Sequence, residues 1–163
     1  IFIGSIHEPN IDAVKFLYDK IMPLVWNINP ELEVSVIGNV ADKLDLKLYP
    51  KFKFLGFLES IEDHFMKSKI MVAPLRFGAG VKGKIGQAFE YFLPVVTTDI
   101  GAEGMQLVNE KNVLIANDEK CFAEAIIRLY NDEELWNTIR EHSVDSLKPF
   151  SVAAVSETLK KIN

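Results

Sequence analysis

Short apolar runs alternate along the chain with segments in which apolar residues recur every three or four positions. Short runs rich in Val, Ile, Phe and Leu are typical of strands buried on both faces, and the intervening period is that of amphipathic helices. The alternation predicts a parallel sheet of about six strands with covering helices. The predicted strands are Phe2–Ile6, Glu33–Gly38, Phe52–Phe57, Ile70–Leu75, Val95–Thr98 and Val113–Ala116.

The amphipathic segments predict helices, several with recognisable start signals. Asn10 is expected to cap the first helix, in which Pro23 would introduce a kink. Residues 60–63, Ser-Ile-Glu-Asp, have the pattern of a capping box. Two more helices, Leu135–Val144 and Val152–Ile162, are predicted to end the chain. Two apolar stripes mark further helices: Val81, Ile85, Ala88, Phe89 and Phe92, and then Phe122, Ala125, Ile126, Leu129 and Tyr130.

This order of elements predicts an α/β fold, a Rossmann-like doubly wound parallel sheet. No linker or repeat interrupts residues 1–163, so the chain is interpreted as one domain. In such sheets ligands bind at the carboxyl ends of the strands, where the strand order reverses. The loops that follow the strands are therefore the places to look for function.

Composition narrows the kind of ligand. The 163 residues are 48% hydrophobic and 25% charged, as in a globular domain, and their net charge is −5. That charge argues against nucleic acid as the main partner, because a phosphate backbone attracts a basic surface. A local basic cluster could still hold a small phosphorylated ligand. The three histidines lack the spacing of metal ligands, so no metal is expected.

Three features bear on the cellular compartment. The single cysteine, Cys121, excludes an internal disulfide and fits a reducing cytoplasm. No apolar run approaches the ~20 residues that would span a bilayer. The chain opens on a strand-like stretch with neither a Met nor a signal peptide, which we interpret as a domain boundary in a longer protein. A cytoplasmic location is expected.

The end of the first predicted strand carries Gly4 and Ser5, and His7 and Asn10 follow in the loop beyond it. A glycine there lets a phosphate approach the backbone, and the next helix points its N-terminus at the same space. A tight strand-to-helix turn explains the same residues, and this loop alone favours that structural explanation.

The loop after the fourth strand carries a stronger signal. It is rich in glycine, leads into a helix, and places Lys82 and Lys84 at the helix entrance. Backbone N–H groups and the helix dipole favour an anion there, and lysines in the first turn oppose the dipole unless an anion is bound. Gln87 lies one turn beyond Lys84 on the same side, where it could bind sugar hydroxyls. The alternatives are a solvated surface loop and an ordinary polar helix face.

Several stretches together resemble the group 1 (family 4) glycosyltransferases. They are Pro-Leu-Arg-Phe-Gly-Ala-Gly-Val-Lys-Gly-Lys at 74–84, Pro-Val-Val-Thr-Thr at 94–98 and Gly-Ala-Glu-Gly at 101–104, with an opening at 4–13 like the start of the second domain in one branch of the family. The resemblance implies a GT-B architecture, two Rossmann-like domains with the active site between them. This chain would be the C-terminal, nucleotide-sugar-binding half. The N-terminal half would hold most of the acceptor site, so the isolated chain is expected to be inactive.

The resemblance also implies roles for particular residues, in a family that is usually metal-independent and retaining. Two basic residues of the first loop and two glutamates around the glycine-rich loop, common in the family, are replaced here by Ser5, Asn10, Ala79 and Gln87. Lys82 and Lys84 could supply the missing positive charge to the leaving diphosphate, and they are the candidate catalytic residues. The candidate donor-binding residues are Gly4, Ser5, His7, Asn10, Phe57 and Leu58, of which the last two would pack on the base, with Gly78, Ala79, Gly80, Val81 and Gln87.

The predicted function is transfer of a sugar from a nucleoside-diphosphate sugar to a glycan or lipid-linked acceptor, without a cofactor, by an enzyme that could meet a membrane at its inner face. Two alternatives stay open. One is a degenerate domain that binds a nucleotide sugar or a partner without turnover, which the four replacements favour. The other is a nucleotide-sugar epimerase of the same two-domain plan. A phosphorylase of that plan ranks low, because it would need a cofactor lysine and a larger domain.

Overall fold

A computed structural model describes residues 1–150, apart from the side chains of residues 149 and 150. The predicted helix Val152–Ile162 lies outside the described residues. The strands within the described part are β1 (Phe2–Ile3), β2 (Val34–Ile37), β3 (Phe52–Gly56), β4 (Met71–Ala73), β5 (Val95–Thr97) and β6 (Leu114–Ile115). The α-helices there are α1 (Glu8–Phe16), α2 (Met22–Ile28), α3 (Glu62–Lys67), α4 (Gly83–Glu90), α5 (Asp99–Ala102), α6 (Glu119–Asn131) and α7 (Glu133–Ser143). A final 3-10 helix covers Val144–Phe150.

The strands form two parallel three-stranded sheets, ordered β1-β2-β3 and β4-β5-β6. Strand β1 of the first sheet lies beside β4 of the second. Two hydrogen bonds of 2.9 Å join them there: the Val72 N–H donates to the Ile1 oxygen, and the Ile1 nitrogen donates to the Ile70 oxygen. The continuous order is thus 3-2-1-4-5-6, the order of the Rossmann fold. The prediction of a doubly wound sheet with six strands is confirmed, although each observed strand is shorter than predicted.

Helices cover both faces of the sheet, as two separate apolar clusters show. On one face Val72 of β4 and Val96 of β5 pack with residues of α1, α2 and α6. On the other, their neighbours Met71 and Val95 pack with Ile85, Ala88 and Phe89 of α4. Neighbouring residues of a strand point to opposite faces, so strands buried on both sides must be apolar at nearly every position. This is why the strands were recognisable as short apolar runs.

A π-helical turn interrupts the first helical segment just before Pro23, where a kink was predicted. Between α1 and α2 the chain forms a π-helical turn, Leu17–Ile21, and Pro23 stands in the first turn of α2. Proline has no N–H to donate to the preceding turn, so the regular α-helical ladder cannot continue through it. The wider turn keeps Leu17, Ile21 and Met22 buried against the sheet.

Several local predictions were wrong. His7, not Asn10, is the N-cap residue of α1, and Asn10 lies inside the helix as a buried amide. The helix at 62–67 has Ile61 as its N-cap with no side-chain capping bond, so the capping box does not form.

The ends of two apolar stripes are also exposed. Val81 and Phe92 are 54% and 49% exposed, because both lie outside α4, and Phe92 has a positive φ of 54°. Phe92 therefore does not add core volume. Tyr130, at the end of the other stripe, is 38% exposed. No helix in the described part of the chain combines the length and the hydropathy that crossing a membrane requires.

Candidate functional site

Three glycines lie at one edge of the sheet, where β1, β2 and β3 end. Gly4 donates to the Ile37 oxygen at 2.9 Å, and Gly38 donates to the Gly56 oxygen at 2.7 Å. Gly38 has a φ of 105°, and a Cβ there would lie 2.1 Å from the Gly4 oxygen. These glycines let the β1 and β2 loops pass close together at the carboxyl end of the sheet. Sequence reasoning missed Gly38, although a glycine at the end of the predicted strand Glu33–Gly38 was the available signal.

The glycine-rich loop meets the β1 loop across the junction of β1 and β4. A Cβ on Gly78 would lie 3.4 Å from Cγ of Pro9, at the start of α1. Gly78 and Gly80 have positive φ values of 116° and 79°, which a side-chain-bearing residue seldom adopts. Backbone whose φ alternates in sign can turn successive N–H groups toward an anion. The two sequence-predicted phosphate loops therefore share the point where the strand order reverses.

Lys84 is the cation at the centre of this junction. It stands in the first turn of α4, and its Nζ lies 4.9 Å from the centroid of the Phe2 ring and donates to Oδ1 of Asn10. Burial, and secondarily the charge of Lys82, lower the pKa of Lys84 to about 8. Among residues 1–150 no carboxylate oxygen lies within 4.0 Å of its Nζ. A half-buried ammonium without a counter-ion is suited to receive an anionic ligand.

Lys82 points elsewhere. Its side chain is only 10% exposed and folds back over the glycine-rich loop, where Nζ donates to the Gly80 oxygen and lies 3.5 Å from the Gly78 oxygen. Glu103 Oε2 is 3.9 Å from the same nitrogen. The ammonium of Lys82 is thus bound to carbonyl oxygens of the glycine-rich loop, and the carboxylate of Glu103 partly offsets its charge.

The Gly-Ala-Glu-Gly stretch at 101–104 lies against the glycine-rich loop. A Cβ on Gly104 would be 3.2 Å from Cγ2 of Val81, and Glu103 faces Lys82. Behind it, Thr98 caps α5 by accepting from the Gly101 N–H at 3.1 Å and donates its hydroxyl proton to the Leu75 oxygen at 2.5 Å. The strand ends of β4 and β5 are thereby held together. The role of Glu103 beside Lys82 was not foreseen from the sequence.

Arg76 forms an ion pair with Asp12 of α1. Its Nε donates to Oδ2 of Asp12 at 2.9 Å, and its NH2 group donates to Oδ1 at 2.5 Å. The guanidinium also lies 4.6 Å from the centroid of the Phe16 ring. The hydrogen bond to Asp12 raises the pKa of Arg76 above its ordinary value. Arg76 therefore fastens the start of the glycine-rich loop to α1.

The other predicted donor-binding residues are spread along the same edge. Asn10 is 9% exposed, and its Nδ2 donates to the oxygen and to Oγ of Ser5 at 3.2 Å each. Ser5 and His7 are exposed beside it, and Gln87 is exposed on α4, one turn beyond Lys84. At the end of β3, Phe57 is 78% exposed and Leu58 is half-buried. An exposed aromatic ring can pack on a planar base, and an exposed amide can bind hydroxyl groups.

A cavity of about 380 Å³ lies at the opposite end of the sheet, where β1, β2 and β4 begin. Its rim carries Glu31 and Glu33 together with Lys67 and Lys69, so its charges are mixed. It contains neither glycine loop, and the loops at the amino ends of parallel strands are not where such folds bind ligands. Among the described residues no group of three or more His, Cys, Asp or Glu side chains is placed to hold a metal ion.

A comparison with protein families identifies one match, to glycosyl transferases group 1, over residues 1–132. A relative from Klebsiella pneumoniae, an uncharacterized 44.6 kDa protein in the cps region, is 28% identical over a 138-residue alignment that covers 78% of this chain and 36% of the relative. The chain therefore spans about a third of the length of that curated relative.

Solved structures share the fold. Anabaena HepE in complex with UDP has a TM-score of 0.74 at 15% identity, over 99% of this chain and 48% of HepE. TarM of S. aureus has a TM-score of 0.77 at 17% identity, over 98% of this chain and 34% of TarM. The C-terminal domain of a group 1 glycosyl transferase, LpcC of Francisella tularensis, has a TM-score of 0.69 at 16% identity, over 93% of this chain and 85% of that domain.

Proposed function

Because this chain belongs to the group 1 glycosyl transferases, we propose that it is the C-terminal, donor-binding half of an enzyme that transfers a sugar from a nucleoside-diphosphate sugar to a glycan or lipid-linked acceptor. The observation that carries the proposal is the half-buried ammonium of Lys84 where the two glycine loops meet, which has no carboxylate partner among residues 1–150. A diphosphate carries the opposite charge, and it is the leaving group of such a transfer. UDP in the HepE structure and the Klebsiella relative's cps region agree with a nucleotide donor and a polysaccharide acceptor.

The geometry suggests how a donor would lie. The diphosphate would meet Lys84, the Ser5 hydroxyl and the N–H groups of the glycine-rich loop, while Gln87 would reach the ribose hydroxyls. Phe57 and Leu58 would pack on the base at the end of β3. His7 would line the remaining side of the β1 loop.

Catalysis by this half would consist of stabilising the departing diphosphate. Negative charge grows on the bridging oxygen as the bond to the sugar breaks, and a fixed cation with fixed N–H donors favours that charge without rearranging. Lys84 would take this role, because its ammonium lies where the two glycine loops meet, whereas Lys82 would first have to leave the loop carbonyls. The acceptor would be bound mainly by an N-terminal half. The transfer would retain the configuration at the sugar and would need neither metal nor cofactor. The enzyme would work in the cytoplasm.

A domain that binds a nucleotide sugar without turnover is the second candidate. Ala79 offers no carboxylate to the transferred sugar, and Glu103, the acidic side chain at the glycine-rich loop, faces Lys82. Such a domain would bind nucleotide sugars through the same residues, yet no full-length form of it would catalyse transfer.

Two measurements test the proposal. Titration calorimetry of the 163-residue chain with UDP, GDP and ADP should show binding of at least one, weakened by salt because the charges are partly exposed. The full-length protein should then transfer sugar from the matching nucleotide sugar, while the 163-residue chain alone should not. Absence of binding to all of these nucleotides would overturn the donor site, and binding without transfer by the full-length protein would select the second candidate.

A further inference from the structure

Asn10 is a buried amide that links the two loops of the candidate site. Its Nδ2 donates to Ser5 in the β1 loop, and its Oδ1 accepts from Lys84 of α4. The two residues of the lysine contact are 74 positions apart in the chain. One amide thus uses both its donor side and its acceptor side to bridge the junction of β1 and β4.

We propose that Asn10 is a positioning residue that holds the ammonium of Lys84 beside Ser5, at the place where the donor diphosphate binds. The proposal rests on the donor-binding function proposed above. A lysine side chain has four rotatable bonds, and an ammonium without a hydrogen-bond partner would move from its half-buried place toward water. The Phe2 ring supports one side of the ammonium and the amide oxygen fixes its direction.

A neutral amide has an advantage over a carboxylate at this position. A carboxylate would hold the lysine more firmly, but it would also neutralise the charge that attracts the ligand. The amide oxygen accepts the hydrogen bond and leaves the positive charge available. The observed pair therefore fits a cation kept for an external anion, whereas a cation used only to stabilise the fold would be expected to have an acidic partner.

The other charged groups around Lys84 do not supply that partner. On α1, Asp12 is held by Arg76, and Glu8 is exposed at the first turn. Beyond α5, Glu103 lies next to Lys82. In the 3-10 helix Val144–Phe150, which packs on α4, Asp145 and Lys148 pair with each other.

Proton uptake is the expected consequence. Since the pKa of Lys84 is about 8 in the free protein, a bound diphosphate should raise it, and the protein should take up protons on binding near pH 8. Affinity for UDP should fall between pH 7 and pH 9 as the free lysine loses its proton.

The experiment titrates UDP and inorganic pyrophosphate into the 163-residue chain at pH 7 and pH 9, in two buffers of different ionisation enthalpy. Asn10→Asp preserves the shape of the side chain and adds a charge, so it should weaken UDP binding about tenfold at pH 7. It should also remove most of the pH dependence, because a carboxylate keeps the lysine protonated. The matched control is Asn109→Asp. Asn109 lies in the loop before β6, and its amide oxygen accepts from the Ile115 N–H. This variant should bind UDP within about twofold of the parent chain.

Two further variants guard against a merely structural effect. Lys84→Asn should bind UDP weakly, and the double variant Asn10→Lys with Lys84→Asn should regain affinity, because it returns a cation to the same contact from the other side. The reactivity of the Lys84 amine toward an acylating reagent, followed against pH without ligand, should show a higher pKa in Asn10→Asp.

The outcomes separate the two proposals. If UDP binds and Asn10→Asp leaves both the affinity and its pH dependence unchanged, Asn10 does not position Lys84. If neither probe binds the parent chain, the donor site itself is wrong, and with it the purpose assigned to Asn10. If Asn10→Asp does not fold, a failure of the swapped double variant to regain affinity overturns the inference.

Discussion

The guanidinium of Arg76 is bound by both carboxylate oxygens of Asp12, at 2.5 and 2.9 Å. Arg76 belongs to the glycine-rich stretch that predicts an anion site, and its charge could have served a phosphate. Its two hydrogen bonds instead join that stretch to α1. The three cations of this stretch therefore make different contacts. Lys84 faces the junction of β1 and β4, Lys82 is bound to the loop carbonyls, and Arg76 is paired with α1.

Arg76→Ala should therefore leave UDP affinity within about twofold while lowering stability. The ion pair is partly exposed, so its coupling energy should be about 0.5–1 kcal/mol. A double-mutant cycle with Asp12→Ala, measured by urea unfolding, gives that energy directly. A tenfold loss of UDP affinity in Arg76→Ala would show that the guanidinium leaves Asp12 for the ligand.

Lys84→Met should weaken UDP binding by about 1.5–3 kcal/mol, roughly ten- to a hundredfold, because a charge-assisted contact is lost while the apolar stem is kept. Lys82→Met should have a smaller effect, since that ammonium is bound to loop carbonyls and faces Glu103. Lys20→Met, at an exposed position in the π-helical turn, is the control. Calorimetry at two salt concentrations would show a reduced salt dependence only for the lysines that meet the ligand. Equal binding by Lys84→Met and the parent chain would reject Lys84 as the main cation.

Lys84→Met should also stabilise the ligand-free protein at neutral pH. The pKa of Lys84 falls from 10.5 to about 8 on folding, so between these values the unfolded chain binds more protons and stability rises with pH. Below pH 8 the buried charge opposes folding in full. Without ligand, Lys84→Met should be more stable than the parent chain by about 1–2 kcal/mol at pH 7 and by less at pH 9.5. Urea melts at both pH values measure the difference, and an advantage that grew with pH would contradict the assignment.

Gln87 tests the contact with ribose. Gln87→Ala should weaken UDP binding by about 0.5–1.5 kcal/mol, the value of one neutral hydrogen bond, whereas Gln87→Glu should keep or strengthen it. Inorganic pyrophosphate has no ribose and should bind all three forms alike. If both substitutions leave UDP binding unchanged, Gln87 is part of an ordinary polar helix face.

Gly38 and Gly56 form a matched pair for backbone effects. Both have positive φ, 105° and 67°, but a Cβ would lie 2.1 Å from the Gly4 oxygen at Gly38 and would meet nothing within 4 Å at Gly56. Gly56→Ala should cost about 1–2 kcal/mol from conformation alone. Gly38→Ala should cost more and should also weaken UDP binding, because the β1 loop must move. Thermal unfolding measures the stability lost in each variant. Similar losses in Gly38→Ala and Gly56→Ala would show that the close approach of Gly38 to Gly4 does not matter for stability.

The sequence by itself determined the elements and their class. Strands such as Met71–Ala73 are buried on both faces and so carry continuous apolar residues, and the stripe of Ile85, Ala88 and Phe89 has the helical period. Glycines that follow strands, together with lysines at a helix entrance, were sufficient to predict an anion site at the carboxyl edge. All of these signals are local, because each depends on residues only a few positions apart.

Only the tertiary structure decided which groups face the site. Lys84 and Asn10 are 74 residues apart, and Arg76 and Asp12 are 64 apart, so no local period reports their contacts. Asn10 resembled a helix cap in the sequence, because asparagine occurs both as a cap and as a buried amide. In the structure its amide oxygen instead accepts a hydrogen bond from Lys84. Phe92 continued an apolar stripe, yet α4 ends before it and a positive φ turns it out of the core. Side-chain direction depends on where elements end and on what packs opposite, and these are fixed only when the whole chain has folded.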